Sequence, residues 1–292
     1  MRVIILYTTV VLIWGSTWSA IPFQLGVVAE EVSVAYRFAL GSLALFIYAA
    51  LSGRQILIPL KQYGTVIVMG TLMFSANYLF TYYSINYVTS GLVAVLFSFI
   101  VVSNAILEQL FFGRKLERRL ILASACGVAG ITCMFWPEVT SFDLADRSLY
   151  GVALAAIAVL FASLGNMAAI VNTGRQLPVL VVNAHGMAWG ALMSTLVALA
   201  LGREFTFLAE PGYILSLAYL AIFGSAVAFG CYLALLRQIG SARAAYTSVL
   251  FPIVALLIST FVEGYKWSPM AVTGIVFIVA GNWLALTRIK RN

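Results

Sequence analysis

Residues 101–119 read VVSNAILEQLFFGRKLERR, and the way this stretch is read decides the fold. Glu108 sits inside a run that is otherwise almost entirely hydrocarbon, five residues ahead of Gly113 and a cluster of cations. In lipid such a run is the end of a membrane span, and its basic flank marks the cytoplasmic side. The rest of the chain favours lipid. Of 292 residues, 63% are hydrophobic and 9% are charged, against about 45–50% apolar and about 25% charged in soluble domains. Too few polar side chains remain to cover a water-facing surface.

Crossing ~30 Å of hydrocarbon takes about 20 mainly apolar residues. Ten runs qualify: 3–24, 32–52, 63–83, 89–112, 119–136, 150–173, 178–201, 212–236, 244–262 and 269–287. They predict an all-α integral membrane protein with ten transmembrane helices and short connections. The longest connection, PEVTSFDLADRS at 137–148, separates the fifth and sixth spans. The first run is too long for a signal peptide and is followed by many more, so it reads as a span of the mature protein.

Lys and Arg set the orientation. With the N-terminus inside, the cytoplasmic segments hold thirteen basic residues and one acid, Glu117. The outer loops hold Arg147, Arg203 and Lys266 against eight acids, Glu30 and Glu31 among them. Both termini are therefore expected in the cytoplasm. The formal charge of +7 then reflects membrane topology, and no nucleic-acid partner is implied. One cation, Arg37, and one anion, Glu108, fall within spans.

Shifted by 151 positions, SGLVAVLFSFIVVSNAILEQLFFGRK (90–115) lies over SARAAYTSVLFPIVALLISTFVEGYK (241–266) without gaps. Ser90 meets Ser241, Gly113 meets Gly264 and Lys115 meets Lys266. A shift of 154 competes, matching Leu96-Phe97-Ser98 to Leu250-Phe251-Pro252. Each half has five spans, an odd number, so the halves must run in opposite senses. The expected organisation is a first five-helix repeat at 1–137, an outer loop at 138–148 and an inverted second repeat at 149–292. Inverted repeats of this kind enclose a site near mid-membrane and rock to open it on alternate sides.

With these features in place, the chain resembles the EamA-type branch of the drug/metabolite transporter superfamily across essentially its whole length. The resemblance rests on the 5+5 layout, WGSTW at 14–18, AYRFALG at 35–41 and FFGRKL at 111–116. LFPIVALLISTFVEGYKWS at 250–268 and the closing pair Gly274 and Gly281 complete it. It implies ten helices around a central cavity, with spans five and ten peripheral. It also implies export, less often import, of amino acids and other small metabolites across a bacterial inner membrane, by a monomer or homodimer. One departure stands out: Pro252 has no proline opposite it in span four, where Ser98 or Val101 stands. A hinge is expected at Pro252 alone.

Candidate site residues follow from polarity within spans. Glu108 tilts toward the start of its helix, hence toward mid-membrane, and Lys115 lies too far along to pair with it. Two readings stay open, a cavity-facing carboxylate that couples protons or gates, and an interfacial one that helps packing. Phe97, Val101 and Asn104 share its face. Arg37 also has two readings: it snorkels toward Glu30 and Glu31, or it faces the cavity and binds a substrate carboxylate. Trp14 and Tyr78, at mid-span, are expected in cavity walls, with Trp18 on the face of Trp14. Tyr82, Tyr83 and Tyr87 lie where an aromatic belt is expected, although Tyr82 shares a face with Tyr78. Asn77 with Thr81, and Ser163 with Asn166, give polar edges that suit substrate or interhelical bonds. His185, the only histidine, is a helix contact or a proton-linked group, and GMAWG at 186–190 reads as a close-packing face.

No metal site or cofactor is implied: Cys126, Cys133 and Cys231 show no ligand spacing. There is no P-loop, no HExxH and no GxSxG elbow, so an enzyme is not expected. The leading expectation is a secondary transporter exporting amino acids or related metabolites by alternating access, with protons as a possible second partner. Uptake of a scavenged metabolite, and a channel or scaffold, are the alternatives.

Overall fold

The structure, a computed structural model, describes residues 2–88, 93, 96–97, 99–114, 118–134, 136, 140, 147–262 and 267–286. The pairing of Lys115 with Lys266, Ser98, and most of the loop at 138–148 lie outside the described residues. Among those described every regular element is a helix.

In chain order the helices are α1 (Arg2–Ala20, continued by a 3-10 turn at Ile21–Gln24), α2 (Glu30–Leu51) and α3 (Leu60–Ile85). Next come α4 (Ile100–Phe112), α5 (Arg118–Met134), α6 (Ser148–Gly174), α7 (Val179–Ala200) and α8 (Pro211–Ile239). A single turn at Ser241–Ala245 leads into α9 (Thr247–Val262), and α10 is Pro269–Leu286. Seven helical stretches, those of α1, α2, α3, α6, α7, α8 and Ser241–Ile258, are long and apolar enough to cross a membrane. Leu51, Leu60 and Phe261 are more than four-fifths exposed, which suits a lipid-facing surface. The protein is an integral membrane protein.

Two helices are interrupted in the same way. α3 widens into a π turn at Leu72–Ala76 and α8 at Ile222–Val227. Such turns bulge a helix and are found often at functional sites. They lie about 150 residues apart, near the repeat spacing read from the sequence.

With no water to expel from between helices in lipid, close backbone packing must hold them together. Small residues provide it. A Cβ placed on Gly274 would lie 2.4 Å from the Gly130 carbonyl, and one on Gly130 would lie 2.6 Å from that of Gly274. α5 and α10 thus pack backbone to backbone. α2 lies along α7, and α7 meets α3 where Gly70 faces the Gly186 carbonyl and Gly190 faces Phe74. The GMAWG segment is therefore a packing face. Gly274→Leu is expected to lower stability by about 1–3 kcal/mol or more, read as a lower apparent melting temperature in detergent. Gly64→Ala, at an exposed position with nothing near its added Cβ, should leave it unchanged or slightly higher.

α1 packs on α8 and α9, and α6 packs on α3 and α4. These helices, with α2, surround the central space.

Candidate functional site

A cavity of about 120 Å³ opens between α1, α2, α3, α4, α6, α8 and α9. Eight sequence-predicted residues line it: Trp14, Trp18, Arg37, Asn77, Tyr78, Phe97, Asn166 and the helix-interior Pro252. They come from five helices and the residues leading into α4, so the fold gathers groups up to 238 positions apart in the chain. Thr81 also lines the cavity.

The apolar wall is aromatic. Trp14 stands edge-on to Phe229 at 4.7 Å between ring centroids and to Phe251 at 5.6 Å, with Tyr232 at 5.2 Å. Trp18 meets Phe97 edge-on at 6.4 Å. Phe229, Tyr232 and Phe251 were not singled out from the sequence. In α8 and α9 they sit within long hydrophobic runs that carry no polar contrast to mark a face. In the structure the α8 π turn lies just before Phe229. It brings the Gly224 carbonyl to Trp14, whose indole Nε1–H donates to it at 2.8 Å.

The same turn presents Ser225 to Arg37. The guanidinium Nε–H donates to Ser225 Oγ at 3.0 Å, and its carbon lies 4.6 Å from the centre of the Tyr78 ring. Arg37 is 2% exposed, and its Nη1 is buried with no hydrogen-bond partner. No carboxylate among the described residues lies within ion-pair distance of it. The snorkelling alternative fails on geometry, because Glu31 is already engaged. It accepts from Tyr83 Oη at 2.5 Å and pairs with Arg203 at 3.4 Å, while Glu30 takes Asn86. Two further acceptors beside the cavity are unfilled: Asn77 Oδ1 and Asn166 Oδ1 have no donor.

Four expected site residues stand away from the cavity wall. Tyr82 is fully buried behind it, which rules out a place for it in a surface belt, whereas Tyr87 is partly exposed. Asn104 is fully buried, accepting from Asn166 Nδ2 at 3.3 Å and donating to the Ser241 carbonyl at 3.4 Å. His185 is a helix contact. Its Nδ1 meets Tyr63 Oη at 2.5 Å, its Nε2 meets the Ile56 carbonyl at 2.9 Å, and Phe46 stands edge-on to it.

Of the two readings left open for Glu108, the contacts fit the interfacial one. Glu108 does not look into the cavity. One carboxylate oxygen accepts from the backbone N–H of Ser241 at 3.0 Å, that of Ala242 at 3.1 Å and the Ser241 hydroxyl. It therefore caps the turn that leads into α9. The other oxygen pairs with Arg114 at 3.0 Å. That partner is legible only once α4 is seen to end at Gly113, whose φ of 65° folds the chain back. A helix continued through 114 would carry Arg114 away. A chain of polar contacts thus runs from the cavity wall at Asn166 through Asn104 and Ser241 to Glu108 and the half-exposed Arg114.

Among the described residues the cavity wall is aromatic and largely neutral and holds one buried guanidinium. The sequence matches the EamA-like transporter family over residues 1–136 and 149–287. This chain is a membrane transporter of the EamA family. It is 25% identical to protein PagO of Salmonella typhimurium over 99% of this chain and 93% of that one. It is 25% identical to the uncharacterized inner membrane transporter YedA of Escherichia coli K12, over 94% and 89%. With the uncharacterized transporter YoaV of Bacillus subtilis it shares 21% identity over 85% and 84%. A crystal structure superposes with a TM-score of 0.81 at 17% identity, covering 97% of this EamA transporter and 95% of that chain, which establishes a shared fold.

Proposed function

We propose that this EamA transporter is built of ten spans in two inverted five-helix repeats, residues 1–137 and 149–292 joined by 138–148, and moves small carboxylate-bearing metabolites by alternating access. Amino acids or related small metabolites bearing a carboxylate are the broad class from which the cargo is drawn, with export as the direction. Three observations support the repeat. The π turns of α3 and α8 recur near the sequence shift. The family matches two segments that correspond to the proposed halves. The packing is also reciprocal: α1 on α8 and α9 is matched by α6 on α3 and α4, and α2 on α8 by α7 on α3. α2 with α7 and α5 with α10 pair across the halves. The loop charges support both termini in the cytoplasm and a bacterial inner-membrane location. A C-terminal green fluorescent protein fusion is expected to be bright, and a C-terminal alkaline phosphatase fusion inactive.

The single observation carrying the substrate reading is Arg37, a buried cation beside the cavity with no carboxylate partner among the described residues. A charge sealed from water costs several kcal/mol unless paired, so its counter-ion is supplied by the cargo. The aromatic wall takes the cargo's apolar body, and Asn77 and Asn166 take its hydrogen-bond donors. On the opposite side, the Glu108 cap ties α4 to the start of α9 and serves as the cytoplasmic gate. Purified protein in liposomes is expected to give saturable counterflow of labelled carboxylates. Phe229→Ala is expected to raise KM by about 5–30-fold, as for loss of roughly 1–2 kcal/mol of apolar and ring contact. Linear, non-saturable flux would point to a channel and contradict the reading.

A further inference from the structure

Resting on the reading that Arg37 receives the cargo's carboxylate, we infer that the cargo is a net monoanion, an aromatic or apolar carboxylate with at most a neutral hydrogen-bond donor, and that zwitterionic amino acids are discriminated against. The reasoning is one of charge balance in a low-dielectric space. Among the described residues the cavity wall holds one full charge, the Arg37 guanidinium. Its Nε is fixed by Ser225 and its face by Tyr78, and its Nη1 has no partner. A carboxylate seated against the guanidinium neutralises the site. A zwitterion brings the same carboxylate together with an ammonium, so the occupied cavity keeps an uncompensated positive charge. No carboxylate among the described residues lines the wall to receive that ammonium.

The unfilled Asn77 Oδ1 and Asn166 Oδ1 are neutral acceptors. Either is satisfied by an indole N–H, a phenol or an amide; an ammonium makes a stronger, charge-assisted bond there, but a neutral amide oxygen leaves its charge uncompensated. The aromatic surfaces of Trp14 and Phe229 offer an ammonium a cation–π contact, but that attraction is about 0.5–2 kcal/mol. It falls short of the several kcal/mol lost by stripping an ammonium of water. The balance favours the deaminated relative of an amino acid over the amino acid itself. Carrying a monoanion alone also moves net charge across the membrane.

Three ligands that share one ring separate these possibilities: indole-3-propionate, tryptophan, which adds the α-ammonium, and tryptamine, which keeps the ammonium without the carboxylate. Binding of each to the full-length protein in lipid nanodiscs is read by isothermal titration, which passive permeation does not confuse. Indole-3-propionate is expected to bind at least about tenfold more tightly than tryptophan, with tryptamine weakest, a tenfold ratio being about 1.4 kcal/mol. Arg37→Gln, checked for folding by its melting profile, is expected to erase the preference for the acid, and Arg37→Lys to keep it in part. Tryptophan binding as tightly as indole-3-propionate, or no measurable binding of indole-3-propionate, overturns the inference. If tryptophan binds and its affinity still falls in Arg37→Gln, the carboxylate reading survives that failure. Tryptamine binding best, with Arg37→Gln unchanged, overturns both.

Discussion

Arg37→Gln is expected to make the empty protein more stable, not less, while abolishing transport. The guanidinium is buried, holds a single hydrogen bond to Ser225, and has no anion within reach among the described residues. Its contact with the Tyr78 ring returns about 0.5–2 kcal/mol. The effective cost of a buried, unpaired ion is several kcal/mol, so the cost wins. Glutamine keeps a polar group near Ser225 without the charge. The expected gain is about 1–3 kcal/mol, a rise of about 2–8 °C in apparent melting temperature for a chain of this size. An arginine retained for structure behaves the opposite way. A fall in melting temperature on this substitution would mean that Arg37 holds the fold together, and the substrate reading would go with it.

Glu108→Ala is expected to be strongly destabilising. It removes the acceptor for the Ser241 N–H, the Ser241 hydroxyl and the Ala242 N–H together, all in a buried setting. Each donor left unsatisfied costs about 1–3 kcal/mol, with partial relaxation bringing the total to about 2–4 kcal/mol. Glu108→Gln, which keeps an acceptor oxygen and the shape, is expected to lose about half as much. Arg114→Ala is expected to cost under about 1 kcal/mol, because Arg114 is half-exposed and its pairing is screened by water. As a gate, the weakened cap also favours opening toward the cytoplasm. Ser248→Cys, in the cavity wall on α9, is then expected to react faster with a thiol reagent applied from that side when combined with Glu108→Gln. The pH dependence of transport is expected to be unchanged in Glu108→Gln, since the carboxylate touches the α9 turn and Arg114 and not the cavity. A shifted pH profile would restore proton coupling as its role.

Much of this was legible in the sequence because lipid is an exacting solvent. Apolar runs had to be helices, and the charge left inside them had to have a purpose. Hence Arg37, Trp14, Tyr78, Asn77 and Asn166 could be nominated from position and polarity alone, and all line the cavity. Long-range geometry was not legible. Glu108 and Arg114 meet because Gly113 takes a left-handed conformation, and helical periodicity does not carry through such a residue. The Glu108 cap further depends on residues 133 and 134 positions away. The Ser225–Arg37 and Gly224–Trp14 contacts depend on a π turn, whose extra residue leaves no mark in a run such as IFGSAV. Tyr82 was assigned to a surface belt by its distance along the helix, but packing against neighbouring helices buries it completely.

The most direct test is protection of a single cysteine in the cavity wall. In a background with Cys126, Cys133 and Cys231 replaced by alanine, Thr81→Cys is exposed to a membrane-impermeant thiol reagent in right-side-out vesicles, with and without indole-3-propionate. The account predicts that the cysteine is labelled, that the carboxylate protects it, and that adding Arg37→Gln removes the protection. A cysteine that stays unlabelled from either side of the membrane, or protection that persists without Arg37, would contradict a cavity that opens to one side and whose guanidinium receives the cargo.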